Sequence, residues 1–256
     1  MKHERKKPIK TASALRLLLC ALILWLTGGC AATSSPTFSS PPQPVTHAPA
    51  PEGYGWWFVR FRMERPAGET RWERDLLLAH RVVAPLLRAN EGVIDLWRFH
   101  RRAAEDKTGH QFSFLFYTSA AAADRINQMV LNDRLVKQML SDGVVREVVT
   151  DAVDHNDHPN VGDTSDPKWS PVMQNTWPHY IMGVSRMWLG MVDQVSQEIG
   201  IADDPTLGQL LEHYEQVNNE VTHIWQQEGY HALLHHLNAI FGYEAMVYWE
   251  KRWKSF

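Results

Sequence analysis

Residues 92–119 read GVIDLWRFHRRAAEDKTGHQFSFLFYTS. Two apolar runs flank a charged connection. The first, about Val93–His100, and the second, about His110–Thr118, each predict a β-strand. Phe112, Phe114 and Phe116 recur at period two, so one face of the second strand is a row of phenyl rings that must be buried. The segment between them, Arg101 to Gly109, mixes both charges without an apolar anchor and is expected to be solvated.

Working outward from this hairpin, Trp56–Met63 (WWFVRFRM) alternates and is dense in aromatic residues, which predicts a strand before it. Thr70–Ala89 carries a helical apolar stripe, with Thr70 and Glu73 spaced as a capping box and Pro85 expected to kink or break it. After the hairpin, Ser119 is placed to cap a helix from Ala120 to about Leu140, with an interruption near Asn132 and Asp133 and Gly143 closing it. Val144–Thr150 predicts a fourth strand. The order strand, helix, strand, strand, helix, strand predicts an α+β fold: a ferredoxin-like split βαβ antiparallel sheet followed by a C-terminal helical layer. Two helices cover one sheet face, and the remaining chain is available to cover the other.

That remainder begins with an acidic loop, residues 151–169. Ser170 and Pro171 then mark a helix start, Pro178 a restart or kink, and Tyr180–Ile199 a strong helix ended by Gly200. Asp204 and Pro205 are expected to open a last helical stretch, Leu207 to about Lys254, interrupted near Gly229 and Gly242. The folded region is read as one domain over 53–254, with a ferredoxin-like part over 53–150 and a helical part over 170–254.

The N-terminus has a different composition. Lys2, Arg5, Lys6, Lys7, Lys10 and Arg16 precede the apolar run Leu17–Leu26, and Thr27-Gly28-Gly29-Cys30 follows. A basic start, a short apolar core and small residues before a cysteine predict a lipoprotein signal over 1–29 with lipidation at Cys30. The run is shorter than the roughly 20 residues of a membrane span. Residues 30–52 are rich in Pro, Ser, Thr and Ala and predict a disordered tether. Ala31, rather than Asp, follows the cysteine, so the expected location is the cell envelope, on the periplasmic side of the outer membrane in a Gram-negative cell. The chain has two cysteines, Cys20 and Cys30; loss of the first with the signal and lipidation of the second exclude thiol chemistry, disulfides and cysteine-based metal sites. Residues 1–29 hold six Lys/Arg and one Glu, a net of +5, so the rest of the chain carries −8 against −3 for the whole. An acidic domain argues against nucleic-acid binding. The expected attachments are the membrane, through the lipid, and a peptide or protein partner.

Within that acidic chain the cations Arg60, Arg62, Arg65, Arg98, His100, Arg101 and Arg102 stand out. With the first and second strands on either side of the third, Arg60, Arg62, Arg98 and His100 share a sheet face and form a candidate anion-binding group. Edge-strand protection and ion pairing with Glu64, Glu73 and Asp106 are the other reading of the same residues. Glu220, His223, Glu228, His231, His235 and His236 repeat Glu-x-x-His spacings on one helical stretch. Two such pairs on one helix do not face each other, so no metal site is expected. The acidic loop lacks the alternating ligands and closing Glu of a calcium loop. No nucleotide-binding or nucleophile-elbow motif occurs, and no cofactor is expected. Ten of the 11 tryptophans remain after the signal is removed; some are available as a platform for a peptide or sugar, and most are expected in the core.

Several segments, in order, resemble the thiopeptide-type bacteriocin biosynthesis domain, which also forms the C-terminal part of lantibiotic dehydratases. They are the opening strand Trp56-Trp57-Phe58-Val59-Arg60-Phe61, the helix with Leu76-Leu77 and Pro85-Leu86-Leu87, Ile94-Asp95-Leu96-Trp97-Arg98-Phe99, Gly109-His110-Gln111-Phe112-Ser113-Phe114, and Leu234-His235-His236-Leu237-Asn238-Ala239-Ile240-Phe241-Gly242. The resemblance spans about Trp56–Trp253. It implies elimination of glutamate from a glutamylated Ser or Thr of a precursor peptide, with arginines around the glutamate and a late-helix histidine near it. His236 best matches that histidine, with His235 beside it. Phe112 and Phe114 stand where the family has arginines, and Ala239 replaces another. The expectation is therefore a non-catalytic binding or accessory role. The alternative is a lyase-like enzyme for a carboxylate-bearing peptide or small molecule, with His235 or His236 as acid/base and Arg98 or Arg60 as anion clamp.

Overall fold

The computed structural model describes residues 53–64, 69–103 and 109–246, all within the compact unit His47–Phe256. The expected signal, Cys30 and the expected tether lie outside the described residues, as do 65–68 (with Arg65), 104–108 and everything after 246. The architecture is α+β: a four-stranded antiparallel open sheet and a helical C-terminal region.

The strands are β1 (Tyr54–Met63), β2 (Leu96–Ala103), β3 (His110–Ser119) and β4 (Val145–Thr150), in the order β2-β3-β1-β4. β2 begins three residues later than the alternation predicts. Val93 and Ile94 are held in a turn, both amides donating to the Asn90 carbonyl. Pairing then sets Trp57 opposite Phe116, Val59 opposite Phe114 and Phe61 opposite Phe112, with Trp97 and Phe99 in the same rows from β2. The three phenyl rings are fully buried. At roughly 1.5–3 kcal/mol per buried large apolar side chain, this row is a major source of the fold's stability.

Helix α1 (Glu73–Leu78), a π-helical turn (Ala79–Val83) and α2 (Ala84–Ala89) pack on that phenyl face. The capping box expected at Thr70 does not form. Helix α1 starts at Glu73 behind Trp72, which gives no side-chain cap. Burial of Leu76, Leu77 and Leu78 fixes it instead, and the Arg74 guanidinium pins its start by donating to the carbonyls of Glu64 and Val144 at 2.8 and 3.0 Å. Pro85 neither breaks nor ends the segment. It has no N–H for the Arg81 carbonyl, and the widened π turn just before it accommodates the missing bond.

Helices α3 (Ala120–Asn132) and α4 (Arg134–Ser141) follow β3. Ser119 caps α3, its hydroxyl accepting the Ala122 amide, and the break falls at Asp133, which caps α4. A 3-10 turn (Val161–Thr164), α5 (Pro171–Ile199), α6 (Leu207–Gly229), a second π turn (Tyr230–His235) and α7 (His236–Ile240) complete the described chain. Pro178 lies inside α5 without ending it. Thr206, not Asp204, caps α6, in a capping box with Gln209. Gly229 changes the helix to π geometry rather than ending it, and Gly242 turns the chain at φ +69°.

The C-terminal helices meet the second sheet face at one end, where Met182 of α5 packs, and not along their buried stripe. Leu207, Leu210, Tyr214, Val217 and Val221 form an apolar stripe along α6 and join the same core as α1, which extends that core outward. Helix α5 runs beside the edge strand β2. The second face is covered at that end by the acidic loop and Met182. There Trp56, Leu96 and Tyr117 cluster with Val161, and loop carbonyls accept from the ring groups: Val161 from Trp56 Nε1 at 2.8 Å and Pro159 from the Tyr117 hydroxyl at 2.9 Å.

Candidate functional site

The uncovered end of that face carries the basic residues. Strand register places Arg62, Gln111 and Arg102 in one row and Arg60, Ser113 and His100 in the next, with Arg98 across Leu115 from Phe58. The four candidate anion-binding residues thus do share a face. Their partners differ. Arg62 pairs with Glu147 at 2.7 Å in an exposed salt bridge, worth at most about 1 kcal/mol. Arg60 lies over the Phe58 ring, 3.4 Å from its centroid. Burial lowers its pKa, and the nearby Asp151 carboxylate opposes that. Asp151 also accepts the Phe58 amide at 3.0 Å, extending the hydrogen bonding of β1 past the last residue of β4. His100 is held below its ordinary pKa by burial first, then by Arg98, Arg102 and Arg60. This end of the sheet therefore favours a neutral imidazole beside fixed cations.

Arg98 sits where this face meets the sheet edge. Its Nε donates to the Thr164 hydroxyl at 2.8 Å and its Nη2 to the Thr164 carbonyl at 3.4 Å, while the guanidinium lies 5.1 Å from the centre of Trp177. No carboxylate bonds it among the described residues, and desolvation brings its pKa down to about 10. A cation in this setting has lost water without gaining a counter-charge.

Arg98 and His100 open onto a cavity of about 810 Å3 between β2, α5 and α6. Trp169, Trp177, Trp188 and Trp225 contribute to its walls. Arg101 enters from the core side of β2, with its guanidinium 5.0 Å from the Trp188 ring and 4.7 Å from Trp72. Unlike Arg98, it is neutralised: its Nε donates to Asp75 at 2.8 Å, and the fully buried His110 bonds the other oxygen of Asp75, also at 2.8 Å. Asp166, the one carboxylate among the cavity's described lining residues, accepts the Lys168 amide at 2.8 Å.

His235 and His236, the candidate acid/base residues, lie elsewhere. They stand at the end of the second π turn, where the rings of His231, His235 and His236 are mutually 5.2–5.3 Å apart. His236 is exposed and His235 half-buried against Tyr243. Leu233 of the same turn lines the cavity; His235 and His236 are not among its lining residues. Glu220, His223 and Glu228 are exposed on α6. Among the described residues, no group of three or more His, Cys, Asp or Glu could hold a metal ion. No described helix is long and apolar enough to cross a membrane.

The cavity itself was not foreseen from the sequence. One signal existed: Ile181, Val184, Trp188, Met191, Val192 and Val195 repeat at helical spacing and read as a core stripe. Val192 and Val195 are buried in the core and Trp188 and Met191 pack against it, but Trp188 and Met191 also line the cavity, together with Ile181, Val184 and Trp177.

No family model matches the chain, and no curated protein or solved structure matches it.

Proposed function

We propose that this chain is a lipid-anchored envelope protein with a non-catalytic binding or accessory role, whose ligand, a peptide or small molecule, presents a carboxylate. The observation that carries this reading is Arg98: a desolvated guanidinium with no carboxylate partner among the described residues, on a sheet face shared with Arg60 and His100. Such a group favours an arriving anion, since ligand binding would supply the missing counter-charge. The strand order, with a helical segment after β1 and another after β3, supports a ferredoxin-like split βαβ sheet. It is in keeping with the resemblance to the thiopeptide-type bacteriocin biosynthesis domain. The phenyl rings of Phe112 and Phe114 in the core, where that family has arginines, favour binding over elimination. So does the separation of His235 and His236 from the cavity at Arg98. Attachment rests on Cys30 and its lipid, and nucleic acid has no part in this reading.

Calorimetric titration of the full-length chain with succinate tests the ligand class. Binding that weakens in Arg60→Gln and Arg98→Gln supports the reading, and it is overturned when neither succinate nor an aromatic monocarboxylate binds the wild type. Cys30→Ala tests the anchor separately: the protein should remain an uncleaved precursor or leave the membrane fraction, and unchanged processing and fractionation would refute lipidation.

A further inference from the structure

The cavity beside Arg98 narrows the ligand class. An anion site for small hydrophilic carboxylates needs cations and water, not a wall of indoles. Here the desolvated guanidinium stands at the margin of a space of about 810 Å3, within the usual range of roughly 300–1,000 Å3 for small-molecule sites. The cations and the apolar wall are built into one another. Arg98 lies over Trp177 and Arg101 over Trp188, so each guanidinium is fixed by a ring of the wall. Trp169 meets Trp177 edge to face at 5.3 Å, which continues the aromatic surface away from the charge. Trp225, on α6, is 52% exposed and has apolar area free to cover. The two cations divide the work. Arg101 is committed to the buried Asp75 and contributes little net charge, so the cavity offers one uncompensated cation at its edge and an apolar interior beside it.

We propose that this cavity binds an amphiphile with a single anionic head group and an apolar, ring-sized or larger body, with Arg98 taking the head group and Trp169, Trp177, Trp188 and Trp225 the body. The proposal rests on the anion-binding reading above and goes further in assigning the cavity and the apolar part of the ligand. Asp166 sharpens the specificity: it lines the same cavity from the exposed loop beyond Thr164, so a second anionic group would meet a carboxylate there, and dianions such as succinate should be poorer ligands here than monoanions of equal reach.

The test uses the full-length chain and naphthalene-2-carboxylate, with 2-naphthylmethanol as its neutral counterpart, both titrated by calorimetry. The carboxylate should bind the wild type more tightly than the alcohol. Arg98→Gln should weaken carboxylate binding about tenfold or more and leave the alcohol unchanged. Trp225→Ala removes a half-exposed wall residue, and Thr222→Trp fills the cavity from an exposed position of α6; both should weaken the two probes together. Equal binding of carboxylate and alcohol, with Arg98→Gln affecting neither, overturns the assignment of the head group. Unchanged binding in both Trp225→Ala and Thr222→Trp overturns the assignment of the cavity. If naphthalene-2-carboxylate fails to bind while succinate binds and weakens in Arg60→Gln, this proposal falls and the broader anion-binding reading stands. If neither binds, both fall.

Discussion

The hydroxyl of Ser185 accepts the amide N–H of Phe99 at 3.1 Å, and the two residues are 86 positions apart. Phe99 belongs to the edge strand β2, and Ser185 lies at the middle of α5, its own proton given to the Ile181 carbonyl at 2.8 Å. A helix side chain thus completes hydrogen bonding that a fifth strand would otherwise supply. Ser185→Ala leaves the buried Phe99 amide without an acceptor, at an expected cost of about 1–3 kcal/mol. The midpoint of urea denaturation should fall with little change in slope, and exchange of the Phe99 amide should accelerate.

Asp75, Arg101 and His110 form a hydrogen-bonded group in which the Asp75 and His110 side chains are fully buried. Asp75→Asn keeps the shape and removes the negative charge from beneath Arg101. Because the Arg101 side chain is 27% exposed, the loss should lie toward the lower end of the range for a broken buried pair, about 3 kcal/mol. A denaturation midpoint equal to that of the wild type would show that Trp72 and Trp188 hold Arg101 without its carboxylate.

His80 joins three helical segments, bonding the Tyr214 hydroxyl through Nδ1 at 2.7 Å and Asp193 through Nε2 at 2.9 Å. Burial lowers its pKa despite Asp193, and burial also lowers that of His213, which bonds Ser196 at 2.8 Å. Both imidazoles take up a proton more readily in the unfolded chain than in the folded one. Stability is therefore complete above the ordinary histidine value of 6.5 and falls as pH drops through it toward the lowered folded values. Asp151, whose pKa burial raises, acts in the opposite sense but in the carboxylate range. The melting temperature should decline from pH 7.5 to 5.5, and His80→Gln should flatten that decline.

Gly55 lets the acidic loop approach β1. A Cβ at this position would lie 2.7 Å from the His158 carbonyl oxygen and overlap the Asn156 side chain, while the neighbouring Trp56 amide donates to that same carbonyl at 2.9 Å. Gly55→Ala should cost about 1–3 kcal/mol by overpacking. It should also release the loop from the sheet, which increased proteolysis within 151–160 would report.

The strands and their phenyl row were legible because alternation is a local property, and the row at Phe112, Phe114 and Phe116 has a single consistent solution. The limits of β2 were not. Arg101, on the core face, reads as a loop residue until Asp75, 26 positions earlier, is brought beneath it. The capping residues of α1 and α6 were misplaced because buried leucines fix the start of one and a Thr206–Gln209 pair outcompetes Asp204 at the other. The shared face of Arg60, Arg62, Arg98 and His100 followed from strand order alone. The cavity did not, because its walls come from three separated segments and its α5 residues repeat with the same period as a core stripe.

The sealing of β2 by α5 makes the two borders of the sheet unequal. At the other border β4 ends the order, with six residues, and its Arg146 and Glu147 are exposed. Strand addition from a neighbouring copy is blocked at the long aromatic border and left to a short, charged one. At high local concentration, this difference between borders guards against polymerisation by strand addition.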